Sequence, residues 1–391
     1  MKIGILTFHR PANFGANLQA YSTLRYLGSL GHEVKVIDYV READYSYKDR
    51  VSIEQYNAHK DFVEKRLLLT KQVKDEKSLQ QIVVAEKFDI ILIGADAVWR
   101  LPKDGDIYFA KWLFESPLLT GTKVASLSAA HMGLGFMSLD KTHRDSLVDC
   151  LKQFSHISVR DEWTKKKIDE LSNNDLNITV NPDPVMMLSD FVDDEVWDNR
   201  GIDSKRYIAM TLPVNWSKSG KMSRIRIKWF RKFKALVNDA GYKLIELPIP
   251  EGRSGMEFDF VVEYPIDSLQ WFLWIKNAKG FCGLRFHAIV SSISCGTPFY
   301  SIDSYGSSSR KSLILDMLGL HNIARKEDIF SKIRNLLKGS EFEGNRTGKY
   351  IEFENPRRVF SKIINANSAS ILAFRDANRK VFVDTVNDIL K

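Results

Sequence analysis

An α/β protein of two parallel-sheet domains facing one another across a cleft is what this sequence predicts, and three observations carry that expectation. Short apolar segments alternate with helix-patterned stretches from the first residue onward, as in sheets whose parallel strands are joined by crossover helices. The alternation pauses at a polar stretch near the middle of the chain and then starts again. The length of 391 residues exceeds one ordinary hydrophobic core and fits two.

Taken in order, residues 3–8 form the first strand. A turn bearing glycine and asparagine follows at 11–17, then a helix from about Leu18 to Leu30 that Gly31 ends. Residues 33–38 are the second strand, completing a right-handed βαβ unit. Residues 44–85 are polar, with helical pieces and no clear strand, and read as an insertion over the sheet. Strands follow at 88–93, 123–128, 157–159 and 178–180. The second series runs through strands at 207–212, 243–247 and 261–262, one around Phe281, and one at 299–302. The domain limits are therefore 1–190, a linker at 191–205, a second domain at 206–340, and a helical segment at 341–391. In that last segment Ile371, Phe374, Val381, Phe382, Val386 and Ile389 make an apolar stripe that needs a surface to cover, expected on the first domain.

A hydrophobic fraction of 44% with 27% charged residues is that of a soluble globular protein. No apolar run approaches the ~20 residues that span a bilayer. The apolar start at 3–8 is too short for a signal peptide, so a cytoplasmic protein is expected. Cys150, Cys282 and Cys295 are unclustered among apolar neighbours, which suggests neither a disulfide framework nor a metal site. The formal charge of +8 favours anionic partners. Nucleic acid is not expected, since no helix-turn-helix, zinc-finger or base-stacking signature is present. The basic run at 218–234 allows two readings: a peripheral membrane contact at the inner face of the plasma membrane, or a solvated helix whose apolar side packs on its own sheet.

Two tandem sheets place the carboxyl ends of their strands at a shared cleft, where ligands of such folds bind. The polar motifs fall at those ends. After the first strand come Asn13, Gly15, Asn17 and Gln19, a close-approach glycine among amides that suit sugar hydroxyls. After 88–93 come Asp96 and Trp99, a carboxylate beside an aromatic plate. Ser158-Val159-Arg160 puts an arginine at another strand end, and Asn181-Pro182-Asp183-Pro184 reads as a mainly architectural turn. Arg285 and His287 stand where the strand around Phe281 hands over to a helix. The unpaired N–H groups of a helix start, a guanidinium fork and an imidazole suit an acidic small molecule undergoing proton-dependent chemistry. The competing reading makes Arg285 a structural ion-pair partner and His287 a satisfied interior imidazole. No Gly-x-Gly-x-x-Gly or Walker loop is present, so neither a nicotinamide cofactor nor ATP is expected, and no other cofactor either.

In this order the motifs resemble the polysaccharide pyruvyltransferase family. The match comprises the turn through Gln19, Gly94-x-Asp96-x-Val98-Trp99, Ser158-Val159-Arg160, Asp183-Pro184, and Arg285-Phe286-His287 leading to Gly296-Thr-Pro298. Ala95 and Ala97 depart from the family's Gly-Ser-Asp-Gln pattern, and His131 from its Ala-Ala-Ser. Those changes lie on the acceptor side. The resemblance implies two Rossmann-like domains of the GT-B type. It also implies transfer from phosphoenolpyruvate to two hydroxyls of a sugar or glycan, free or polyprenyl-linked, to give a cyclic pyruvate ketal and phosphate. On this implication Arg160, Arg285 and His287 contact the donor, with Arg285 and His287 catalytic. Asn13, Gly15, Asn17, Gln19, Asp96, Trp99 and His131 lie on the acceptor side. Two rivals remain: a nucleotide-sugar glycosyltransferase on the same plan, using an acid such as Glu263 for the ribose, and a non-catalytic glycan-binding relative.

Overall fold

The computed structural model describes residues 1–41, 48–100, 105–116, 121–131, 135–193, 195–218, 223–283, 285–302 and 355–391. In the first domain β1 (Lys2–Leu6), β2 (Glu33–Val36), β3 (Ile90–Ile93) and β4 (Lys123–Ser126) form a parallel sheet in the order β2-β1-β3-β4. All four residues of β3 are buried, which is why the strand reads as continuous Ile and Leu rather than an alternation. β5 (Ile157–Val159) and β6 (Ile178–Val180) pair in parallel and join β4 through bridges at Ala125–His156 and Ala129–Val159.

Two expectations fail here. The first helix, α1 (Phe14–Ser29), begins four residues before Leu18 because Asn13 caps it, its side chain accepting from the N–H groups of Gly15 and Ala16. Gly15 and Asn17 thus belong to the helix and not to a turn. The stretch read as an insertion over the sheet instead widens it. Between α2 (Ile53–Arg66) and α3 (Glu76–Glu86), Leu69 and Val73 bridge in parallel to Val36 and Tyr39. That edge was hidden because its pairing uses main-chain groups and needs no apolar alternation. Short helices α4 (Gly105–Tyr108) and α5 (Lys111–Phe114), then α6 (Lys141–Leu151) and α7 (Glu162–Ser172), complete the domain.

A 3-10 helix, Pro184–Phe191, leads across to the second sheet. There β7 (Tyr207–Thr211), β8 (Lys243–Glu246), β9 (Phe260–Val261), β10 (Gly280–Gly283) and β11 (Phe299–Ser301) are parallel in the order β11-β10-β7-β8-β9. The helices of this half are α8 (Ser223–Asp239), α9 (Ser268–Asn277), α10 (Phe286–Cys295) and α11 (Pro356–Ile364), followed by α12 (Ser368–Leu390). The domain limit expected at 340 lies outside the described residues.

One hydrophobic cluster runs through both domains, from Ile3 and Leu18 to Trp271 and Ile293. At the junction the ring of Phe14 stacks on Trp271 at 5.2 Å. Gln55 donates to Ile266 O at 2.7 Å and accepts from Ile266 N at 3.0 Å. α12 returns to the first domain, where Phe382 meets Tyr26 edge-on at 5.2 Å, and Arg379 donates to Met186 O at 3.0 Å. Among the described residues no helix is long and apolar enough to cross a membrane.

Candidate functional site

The carboxyl ends of both sheets meet at the start of α10. Gly15, in the first turn of α1, lies against His287; a Cβ at this position would fall 2.1 Å from its Nδ1. Only a glycine lets the two lobes approach this closely. Next to it, the amides expected to hold a sugar are spent inside the protein. Asn17 Nδ2 donates to His9 O at 2.8 Å, while its Oδ1 accepts from His59 Nδ1 at 2.6 Å and from the Ser268 hydroxyl at 3.0 Å. Gln19 donates to Thr7 Oγ1, Phe8 O and Ala16 O, and accepts from Ala95 N. Both are fully buried. Asn13 is half-buried, and its side-chain oxygen is the helix cap.

The next strand end divides the same way. Gly94, at φ +118°, has no room for a side chain because Leu127 O would stand 2.4 Å from it. Asp96, at φ +70°, accepts from Ala97 N at 2.7 Å and keeps a side chain 16% exposed. Trp99, expected as a sugar platform, is buried; its Nε1 donates to Tyr108 O at 3.0 Å and its ring stacks on Phe109. His131 is buried between the rings of Phe136 and Trp163, with Nδ1 2.7 Å from Trp99 O. Asn17, Gln19, Trp99 and His131 therefore shape the cleft wall without presenting polar atoms to it. The reason is common to all four: a strand-to-helix corner leaves main-chain groups that must be satisfied, and the nearest amides, rings and imidazoles do it.

Arg160 departs furthest from its expected role as a donor contact. It is only 4% exposed. Its Nη1 lies 3.4 Å from Asp183 Oδ2 and 3.7 Å from Asp96 Oδ1, and its Nε is 4.0 Å from Asp161 Oδ2. The guanidinium stacks on Phe286 of the opposite lobe at 4.4 Å. His287 Nε2 reaches the same Asp183 oxygen at 3.4 Å and has no hydrogen bond of its own. Burial pushes the Asp183 carboxyl up, but the His287 imidazole and the Arg160 guanidinium more than offset that, and the group titrates below its ordinary range. Asp183 thus joins the two expected functional residues across the interlobe boundary. Sequence reading gave it only an architectural part, although it stands at a strand end just as Asp96 does.

Arg285 turns outward. It is the N-cap residue of α10, its side chain makes no cap hydrogen bond, and it is 48% exposed with Glu251 3.5 Å away. The structure thus brings Gly15, Asp183, Arg160 and His287 together, with Asp96 at the edge, and leaves Arg285 on the rim. The electrostatics sort these groups. Asp96, Asp161 and Asp183 surround one guanidinium, so the inner shell repels an anion even with His287 protonated. On the outer side, the positive end of the α10 dipole and Arg285, half exposed beside Glu251, favour one.

Other titratable groups are structural. Asp38 accepts from His9 at 2.9 Å and from Arg10 at 2.8 Å and 2.5 Å. Burial opposes its charge, yet these two partners hold its carboxyl far below the usual range. Glu263, the rival reading's ribose acid, is exposed and paired with Arg253. Burial pushes the Cys282 thiol well above its ordinary value, which makes it a poor nucleophile.

Two Rossmann-like sheets with their strand ends opposed across a cleft define the GT-B class. The chain belongs to the polysaccharide pyruvyl transferase family, whose profile matches residues 13–305. Among solved structures it is similar to the UDP-GlcNAc 2-epimerase from Neisseria meningitidis bound to UDP-GlcNAc, with 11% identity over 99% of each chain and a TM-score of 0.50. It is also similar to an alpha-glucosyltransferase in complex with UDP and a DNA 13-mer, with 11% identity, 100% of each chain covered and a TM-score of 0.49. At these identities the likeness concerns the fold alone. No curated protein sequence matches the chain.

Proposed function

We propose that this pyruvyl transferase takes its three-carbon unit from phosphoenolpyruvate and closes it as a cyclic ketal on two hydroxyls of one sugar, releasing phosphate. The observation that supports this reading best is the pairing of an uncapped helix start and an outward Arg285 with His287, which is backed by the ionised Asp183. The donor's phosphate and carboxylate fit the outer, cationic side. His287, on the inner side, can give a proton to the methylene carbon, turning CH2 into CH3 and leaving an electron-poor C2. The first sugar hydroxyl adds to C2 and loses its proton. The second hydroxyl displaces phosphate as the C2–O bond breaks, and its proton leaves with the phosphate. Arg285 stabilises the leaving group's charge. Asp96, partly exposed at the edge of the site, is the carboxylate suited to receive a hydroxyl proton. Arg160 acts here as a positioning residue: it anchors Asp183 and Phe286 and so sets where His287 stands.

The test is phosphate release from phosphoenolpyruvate in the presence of a panel of mono- and disaccharides. H287A should lose at least ~100-fold of the rate, the scale of general-acid catalysis. D183N keeps the cap on Val185 N but removes the anion facing His287 and Arg160, so the rate of phosphate release should fall well below wild type. Nucleotide release from a nucleotide sugar, with phosphoenolpyruvate untouched, would sink the reading in favour of a glycosyltransferase.

A further inference from the structure

A second charged surface lies away from the cleft floor, on the outer layer of the second domain. α8 turns Trp229, Phe230, Phe233 and Val237 onto its sheet. Arg224, Lys228, Arg231 and Lys232 are exposed, and their spacing of three and four residues puts them on the opposite side of the helix. α11 lies beside α8, with Phe360 edge-on to Phe233 at 6.5 Å. It buries Val359 and Ile363 and exposes Arg357, Arg358 and Lys362. No carboxylate among the described residues pairs with the four α8 cations or with Arg357. The one acid on either helix, Asp239, stands at the far end of α8. Lys234 does not belong to this face, since it reaches Asp259 at 3.0 Å.

The apolar side of α8 is already committed to its own sheet, so it cannot enter a bilayer. What remains is a two-helix face of long, flexible cations with one apolar side chain among them, Ile225, 51% exposed. We propose that this face docks the protein on an anionic phospholipid surface by electrostatic attraction alone. Charge complementarity favours lipid over nucleic acid. The aromatic residues that would stack on bases point inward, and two helices side by side offer a broad surface, not a groove. α8 begins after the carboxyl end of β7, which is the cleft side of the sheet. Docking would therefore lay α8 along the headgroups with its cleft-side end beside them, which would keep a polyprenyl-linked acceptor near the protein. That consequence, unlike the docking itself, rests on the transfer reading.

The experiment is cosedimentation of the full chain with phosphatidylcholine vesicles with and without about 30% phosphatidylglycerol, at about 0.15 M and 0.5 M salt. Binding should require the anionic lipid and be lost at the higher salt. K228E/R231E/K232E should weaken it at least ~100-fold, since each charge accounts for about five-fold. R357E/K362E on the neighbouring helix should act in the same direction. Thermal midpoints and phosphate release with a free sugar should stay at wild-type values, so failure of docking and failure of the transfer reading are told apart. Absence of binding to the anionic vesicles, binding that ignores the reversals, or capture of duplex DNA in preference to vesicles would each overturn the proposal.

Discussion

In the first domain the polar residues at strand ends face inward. Asn17, Gln19, Trp99 and His131 satisfy main-chain and side-chain groups of the corners they occupy, and Arg160 is sealed beneath Phe286 among three carboxylates. In the second domain Arg285 faces outward from a helix start that its own side chain does not cap. The contrast teaches that a polar side chain at a strand end has two possible duties, and that burial and hydrogen-bond saturation separate them. The first lobe supplies a rigid wall and the buried Asp183. The second lobe supplies the outward Arg285, on which the proposed donor site rests. His287 stands at the boundary, in the second lobe by sequence and facing the first lobe's carboxylate.

Breaking the wall should cost most. R160A leaves Asp183 and Asp161 buried without their cation, and a loss of about 3–5 kcal/mol is expected from urea denaturation. A midpoint within ~0.5 kcal/mol of wild type, the range of an ordinary surface change, would mean that Arg160 is not the buried keystone described here.

A smaller effect should come from His59, which bonds the Asn17 side chain that also meets Ser268 of the second domain. Burial moves this imidazole down to about 3, so the folded protein takes no proton there while the unfolded chain, titrating near ~6.5, does. The sign follows: the unfolded state binds more protons as pH falls from about 6.5 toward 3, and stability drops across that window. H59Q, which keeps a donor toward Asn17, should flatten the dependence between about pH 6.5 and 4.5. An identical slope in both proteins would remove His59 from the account.

Much of the fold was legible because buried parallel strands are apolar in runs, and each of the eleven strands among the described residues overlaps a segment the pattern marks. The edge formed by Leu69 and Val73 was not, since isolated main-chain bridges carry no side-chain signature. The early start of α1 could have been read from Asn13 as a cap, but the glycine and asparagines beside it suggested a turn. Residue type and position put Arg285, His287 and Asp96 at strand ends, and the structure has them there. What the pattern could not supply was direction. Arg160 and Arg285 both close a strand, yet one is buried by Phe286, a residue 126 positions away in sequence. The part of Asp183 was missed for the same reason: its partners, His287 and Arg160, meet it only through the packing of the lobes.

The central claim is that the outer side of α10, with Arg285, holds the anionic donor while the inner wall stays closed. Calorimetric titration of phosphoenolpyruvate into wild-type protein and R285A tests it most directly. R285A should bind about 10- to 100-fold more weakly, as loss of a charge-assisted hydrogen bond implies, with an unchanged thermal midpoint. Equal affinity in the two proteins would contradict it.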